Sequence, residues 1–405
     1  MTLPSRRGPK TVLFINLYTE MGGGEYSIYY LVRELRKSEY RPLMLFNRRG
    51  PFVEKIEKLG ISTAFLPYES VMLKRLIRPR NFRNALKVSR DLDRLLGESG
   101  VELIQCSDVL ALMLVGLPAL RRRIPVIYSF IFFYELPRII IFNILALLFV
   151  KKIIANSERV RNDVVRRTFF LSAKVQTLYQ GVDTDLFRPR SDESSGRLRE
   201  ELRVDPAISL VGMAGRFDPS KGQTVFLQAA AILLRKRSDL KFVLVGGLLN
   251  DDVIPSLSKY RKDVLRLAHE LKIKEHLVFI PHRDDMPEVL RSLDVLVCPS
   301  VSEGFGLTVL EGLASGLPVV VSRCAGALEV AAGMEGVFVA EAGDAESFAD
   351  RIDAALEQFS VRSHGPAARS DLLKHSWGEY SRQVERVYAS VSNGGPQLRN
   401  EKIDG

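Results

Sequence analysis

"VLVCPSVSEGFGLTVLEGLASGLPVVVSR", from Val295 to Arg323, carries the pattern that decides the fold. "VLVCPS" is a short apolar run and reads as a strand. "VSEGFG" is the loop after it, where Gly304 and Gly306 permit close backbone approach and unusual dihedrals. "LTVLEGLAS" reads as a helix stopped by Gly316 and Pro318, and "PVVVSR" as the next strand. The strand runs are continuous rather than alternating, as expected of parallel strands covered on both faces.

The same alternation extends through most of the chain. Upstream in the same half, "ISLVGMAG" (Ile208–Gly215), "KFVLVGG" (Lys241–Gly247) and "HLVFI" (His276–Ile280) read as strands. In the first half, strands are expected at Thr11–Leu17, Arg41–Phe46, Ile61–Pro67, Glu102–Cys106, Pro125–Phe130, Lys151–Ser157 and Val175–Gly181. Amphipathic stretches such as "YSIYYLVRELRKS" (Tyr26–Ser38) fill the gaps. A polar break near Arg188–Ser195 separates the two series. Two α/β alternations with a break between them argue for two doubly wound parallel-sheet domains, with ligand at the C-terminal ends of the strands. The expected boundaries are 1–187, 188–374, a final helix over 375–392 and a disordered tail over 393–405.

Composition narrows the class. With 46% hydrophobic and 26% charged residues, the chain is of ordinary globular type. Cys106, Cys298 and Cys324 are far apart and show no C-x-x-C spacing, so neither a disulfide framework nor a zinc site is indicated. A reducing compartment is expected, and the apolar run after the basic start, only about strand length, reads as a strand rather than a secretory signal. The net charge of +10 is unevenly placed. Up to Phe187 there are 30 Lys/Arg against 17 Asp/Glu, and the remainder has 28 against 31. That asymmetry points the first half toward something anionic. Basic residues do not alternate with aromatics, so nucleic acid ranks last among such partners.

Two glutamates stand out in the opening stretch. Glu303 lies in the Gly-rich loop and Glu311 about one turn into the helix. The amides of Gly306, Leu307 and Thr308 at the helix start form an anion site. A carboxylate accepts one hydroxyl on each oxygen and so suits a vicinal diol. A phosphate between two sets of hydroxyls is a sugar nucleotide. The competing reading of Glu311 is an ordinary surface residue. In "GMAGRFDPSKGQ", Arg216 and Lys221 flank a turn between strand and helix. They suit a diphosphate, Arg as a fork and Lys as a point charge.

Several ordered motifs occur together. They are "GGGE" (Gly22–Glu25), "ANSERVRNDV" (Ala155–Val164), "YQGVDTDLFRP" (Tyr179–Pro189), "GRFDPSKG" (Gly215–Gly222) and "VLVGG" (Val243–Gly247). The run Val278–Ser322 and "GALEVAAGMEGVFVAEAGD" (Gly326–Asp344) complete the set. With these the chain resembles the retaining glycosyltransferases of family 4, over nearly its whole length. The resemblance implies the GT-B fold, two Rossmann-like domains facing a deep cleft. It implies sugar transfer, with retention at the anomeric carbon, from a nucleoside-diphosphate sugar, UDP- or GDP-linked, and the leading reading of the acceptor is a cell-surface glycan or lipid-linked molecule. It implies no metal and no cofactor besides the donor.

By position, Glu311 looks like the ribose binder and Glu303 like the donor-sugar contact. Arg216 and Lys221 look like the diphosphate clamp, and Glu303, Arg216 and Lys221 together make the expected catalytic group. Phe305, Gly306, Leu307 and Thr308 look like the backbone that touches sugar and phosphate. The loop at His282–Arg283 would border the base. Gly23 and Gly24 look like the N-domain turn that approaches the phosphates, ahead of a helix from Tyr26. One departure stands out: family members usually carry a histidine after the strand matching "IPVIYSF", and the first half of this chain has no histidine. Ser129, Tyr134 and Glu135 are substitutes without a matched position.

"DTD" at Asp183–Asp185 looks like a metal motif of transferases of another fold, but here it falls in the family's interdomain segment and reads as structural. A binding-only descendant that holds a nucleotide sugar without turnover, and a sugar-nucleotide epimerase, remain as other functions. Two features suggest a cytoplasmic protein peripheral on the inner face of an anionic membrane. One is the basic stretch Lys74–Arg90. The other is "PRIIIFNILALLFVKK" (Pro137–Lys152), apolar except Asn143 between its flanking cations Arg138, Lys151 and Lys152, and too short to span a bilayer. The second is equally readable as a helix buried between two strands.

Overall fold

The computed structural model describes residues 8–66, 79–130, 136–168, 170–189, 196–247, 255–359 and 369–392. The tail over 393–405, Tyr134 and Glu135, and Lys74, Arg75 and Arg78 of the basic stretch lie outside the described residues. Thirteen strands are present among those described, all paired in parallel. The first seven are β1 Lys10–Ile15, β2 Tyr40–Phe46, β3 Ser62–Phe65, β4 Val101–Cys106, β5 Val126–Phe130, β6 Val150–Ala155 and β7 Val175–Thr177. The other six are β8 Ser209–Ala214, β9 Leu240–Val245, β10 Leu277–Ile280, β11 Val295–Cys298, β12 Val319–Ser322 and β13 Val337–Ala340. Twelve coincide with the apolar runs named above, and β13 is additional.

Each set forms one sheet. The first runs β3-β2-β1-β4-β5-β6-β7 and the second β10-β9-β8-β11-β12-β13. In each, the chain winds outward on one side of its first strand and then returns to wind outward on the other. The point of reversal lies between β1 and β4 in one sheet and between β8 and β11 in the other, where open α/β sheets leave a crevice at their carboxyl ends. These are two Rossmann-like doubly wound units. One comprises residues up to Asn156, Val160–Leu178 and those from Gly378; the other comprises Ser157–Arg159 and Tyr179–Trp377.

The strands are buried because helices cover both faces. In the first unit the helix Val109–Arg122 supplies Leu112 and Val115, and β4 and β5 supply Ile104 and Tyr128, to one core. In the second, Phe226, Phe242 and Phe348 sit on one face of the sheet. Leu296, Val319 and Leu310 pack on the other. The final helix, Trp377–Ser392, buries a stripe that includes Tyr380, Val384, Val387 and Tyr388. Tyr388 meets Tyr40 edge to face, with ring centroids 5.1 Å apart. Its hydroxyl donates to Gln105 Oε1, and Gln105 Nε2 donates to Ser129 Oγ at 2.6 Å. Ser129 is therefore buried in a core network that ties the final helix to the sheet through Gln105.

Helix starts differ from expectation at one place that matters. The helix after β1 begins at Gly23 and ends at Leu35, three residues earlier at each end than the apolar pattern from Tyr26 to Ser38 indicates. Gly23 and Gly24 are thus the first helical turn rather than a turn ahead of it. Amphipathic periodicity marks only the buried stripe, and a first turn without side chains leaves no mark in it.

Candidate functional site

The site is built where β8 and β11 end side by side. Beyond β8, the Gly215 amide bonds to Val245 O at 2.9 Å, so the chain stays on the sheet up to Arg216. A Cβ on Gly246 would lie 2.0 Å from Gly215 O, so only glycine fits against the strand at that point. The chain then turns through Asp218, whose carboxylate accepts from the Ser220 amide at 2.9 Å. Gly222 adopts φ of 77° and starts the helix Gln223–Leu234. A side chain there would meet Pro299 O at 2.1 Å. The β8 turn is therefore pressed directly onto the end of β11, and the Val301 amide bonds across to Ser220 O at 2.9 Å.

That close approach brings the predicted charges together. Lys221 Nζ lies 2.7 Å from Glu303 Oε2, both partly buried. Ser300 Oγ donates to the same oxygen at 3.2 Å. Arg216 Nη2 donates to Asp218 Oδ2 at 2.9 Å, while Arg216 Nε is buried without a partner. Gln223, fully buried, donates to Arg216 O at 2.7 Å and accepts from the Tyr260 hydroxyl at 3.2 Å, which fixes the backbone at Arg216. The Asp218 carboxyl is held below its usual value: hydrogen bonds from Ser220 and Arg216 outweigh the cost of burial.

The loop after β11 leads into the helix Leu307–Ala314 through Gly306, at φ of 95°, with no side-chain cap on the first-turn amides. Leu307 and Thr308 are half-buried there. Phe305 points into the core, 6.4 Å from Tyr179, so only its backbone faces the loop. A Cβ on Gly326 would be 2.2 Å from Glu303 O, which places the next helix, Ala325–Ala331, hard against the loop.

Glu311 is the anomaly. It is half-buried, and no hydrogen bond or ion pair reaches its carboxylate among the described residues. Desolvation alone raises its pKa from 4.5 to about 7. The half-buried Cys298 thiol, at the end of β11, shows how close these charges are. Desolvation raises its pKa, and Glu303, Lys221, Cys324 and Glu311 all act on it electrostatically.

Other predicted residues lie elsewhere or are otherwise engaged. His282 borders Gly247 at the end of β9, its Cβ 3.1 Å from where a Gly247 Cβ would stand. Arg283 is bound to Asp285 at 2.6 Å and Glu201 at 2.6 Å, and these hydrogen bonds raise its pKa further. Its guanidinium braces the loop rather than standing open. Gly23 and Gly24 belong to the first unit, at the carboxyl end of β1. Asp183 Oδ1 accepts from the amides of Asp185 and Leu186, at 3.2 and 3.1 Å, as a turn cap.

Sequence reasoning missed the supports. Asp218 and Ser300, which hold Arg216 and Glu303, lie within stretches already singled out but carry no spacing signal of their own. It also missed Glu329, whose carboxylate accepts from the amides of Glu158 and Arg159 at 2.6 and 3.1 Å and from the Tyr179 hydroxyl at 2.7 Å. Those partners are 150 or more positions away in sequence, so nothing local announces them.

Comparison with known proteins places this geometry. The family model described as "Glycosyl transferases group 1" matches residues 196–370, and that described as "Glycosyltransferase Family 4" matches residues 21–186. A D-inositol 3-phosphate glycosyltransferase of Corynebacterium glutamicum (strain R) is 27% identical over 238 residues, 57% of this chain and 54% of that protein. One from Mycobacterium sp. (strain JLS) is 33% identical over 231 residues, 56% of this chain and 48% of that protein. The chain thus spans about half the length of the curated relatives it matches. Among solved structures, Anabaena HepE in complex with UDP and glucose superposes with a TM-score of 0.80 at 21% identity. The match covers 94% of this chain and 100% of that one, which shows a shared GT-B fold.

Proposed function

This chain belongs to the group 1, family 4 glycosyltransferases, and on that premise we propose that it transfers a sugar, with retention, from a nucleoside-diphosphate sugar to a glycan or lipid-linked acceptor. One observation carries the reading: Arg216, the Lys221–Glu303 pair and the unpartnered Glu311 meet at the reversal point of one parallel sheet. Curated relatives named as glycosyltransferases and a fold neighbour solved with UDP and glucose support it.

Each residue then has a task. Glu311, desolvated and without a partner, accepts both hydroxyls of a ribose once ionised. The Gly306, Leu307 and Thr308 amides, uncapped at a helix start, receive the diphosphate. Lys221 and Arg216 stabilise negative charge on the departing nucleoside diphosphate, in the absence of any required metal. Glu303, aligned by Lys221 and Ser300, accepts from a donor-sugar hydroxyl.

As the anomeric C–O bond breaks, its electron pair goes to the diphosphate oxygen and the sugar becomes oxocarbenium-like. The acceptor hydroxyl then bonds to the anomeric carbon from the leaving-group side. Its proton passes to the departing phosphate oxygen.

A thermal-shift screen of UDP-, GDP- and ADP-sugars tests the reading. The true donor raises the unfolding midpoint with concentration by mass action. No shift with any of the three would reject it. A shift with no transfer to any acceptor would favour the binding-only alternative.

A further inference from the structure

The helix Leu136–Phe149, "LPRIIIFNILALLF", is apolar but for Arg138 and Asn143. One face is core: Ile139, Phe142 and Ala146 are buried, with Phe142 4.7 Å from the Tyr128 ring and 5.2 Å from Phe130. The other face is open. Ile140, Ile144, Leu147 and Leu148, spaced four, three and one residues apart on one side, are 54–60% exposed. A surface helix ordinarily carries charge there.

The open face continues onto neighbouring elements. The helix Val109–Arg122 packs alongside, so closely that a Cβ on Gly116 would lie 2.4 Å from the Phe149 ring. Leu120, one turn beyond Gly116, and Leu117 are 58% and 45% exposed. Asn143 Nδ2 donates to Arg167 O at 2.9 Å, which ties in the end of the helix Glu158–Arg167. Phe170, 84% exposed, follows it.

Charge around the face is mostly positive. From Val109 to Ala155 the sequence has six Lys/Arg and one carboxylate. Arg121, Arg123, Lys151 and, beyond them, Arg166 are exposed. Lys174, by contrast, turns inward to the carbonyls of Ala146, Leu147 and Val150, closing the helix end.

From this juxtaposition we propose that the outer face of Leu136–Phe149, with Leu117 and Leu120, docks on an anionic lipid surface. Fourteen helical residues span only about 21 Å, short of the ~30 Å hydrocarbon core. Among the described residues no helix is long and apolar enough to cross a membrane. The helix therefore lies in the interfacial plane, its leucines and isoleucines entering the acyl boundary and its cations meeting headgroups. A second copy of this chain is the poorer occupant, because two cationic rims would be brought together. The inference deepens the acceptor reading above, on which it rests for its purpose, by placing transfer at a lipid–water boundary.

Vesicle sedimentation of the full chain tests it, using phosphatidylcholine vesicles with and without phosphatidylglycerol. Recovery should be roughly tenfold higher on the anionic vesicles and fall in high salt. Ile144→Glu/Leu148→Glu and Arg121→Gln/Arg123→Gln/Lys151→Gln should each lose it about tenfold, with unchanged thermal midpoint. Equal recovery on both vesicles, or none on either, overturns the proposal. So does a dimer that Ile144→Glu/Leu148→Glu converts to monomer without any vesicle binding, which assigns the face to a second copy. Nucleotide titration of the same variants separates the two readings. Retained nucleotide affinity with lost vesicle binding confirms independent surfaces, whereas a parent chain that binds vesicles but no nucleotide sinks the donor-site reading alone.

Discussion

Replacing Glu311 by Gln should move the stability of the unliganded protein and its affinity for nucleotide in opposite directions. Burial raises the Glu311 carboxyl from 4.5 to about 7, with no partner to offset the cost. At about 1.4 kcal/mol per pK unit the full shift corresponds to roughly 3 kcal/mol. Below about pH 4.5 the carboxyl is protonated folded and unfolded, and the wild-type chain loses nothing. Between 4.5 and 7 the folded chain keeps a proton that the unfolded chain releases, so stability falls as pH rises. Above about 7 the whole difference is lost.

Gln bears no charge, so Glu311→Gln should gain on the wild type through this window. At pH 8 it should be more stable by about 1–3 kcal/mol, or several degrees in midpoint. The single tryptophan, Trp377, is buried in the second unit and its fluorescence reports unfolding. Nucleotide affinity should instead fall about 10- to 150-fold, the loss of a charge-assisted contact worth about 1.5–3 kcal/mol. Wild-type affinity should also rise with pH through about 7, as the carboxylate forms. A stability difference independent of pH, or a less stable variant at pH 8, would refute the argument from desolvation.

Lys221→Ala should weaken nucleoside-diphosphate binding by at least about tenfold, while its partly exposed pair with Glu303 contributes only about 0–1 kcal/mol to folding. Equal losses of affinity and stability would instead mark it as structural. Transfer should persist in EDTA, since Asp183 is already engaged by the amides of Asp185 and Leu186; complete, reversible loss on chelation would restore the metal motif. Tyr388→Phe removes the hydroxyl that Gln105 accepts from in a buried network and should cost about 1–3 kcal/mol in urea unfolding. No change there would mean that water replaces the hydroxyl.

Most of the fold could be read from residue pattern because parallel strands are buried on both faces and so appear as unbroken apolar runs. β13, "VFVA", is a four-residue edge strand, its first three residues only half-buried, and too little of it is covered to stand out. The helix at Gly23 shows the complementary limit: glycines have no side chain to enter a periodic stripe. Within the site, Arg216, Lys221, Glu303 and Glu311 were visible because charge among glycines at strand ends is unusual. Their supports were less visible. Asp218 and Ser300 are short polar residues that turns use everywhere. Glu329 is made important only by amides far off in sequence. Arg283 stands in the loop after β10, and the carboxylates that hold it, Glu201 and Asp285, come one from a distant helix and one from its own turn.

Calorimetric titration of UDP and GDP into the wild-type chain and into Lys221→Ala and Glu311→Ala tests the central claim most directly. The account predicts saturable one-to-one binding of one of the two nucleotides to the wild type, weakened at least about tenfold in each variant. Unchanged affinity in both variants would contradict it, because the diphosphate and ribose would then be held somewhere other than the ends of β8 and β11.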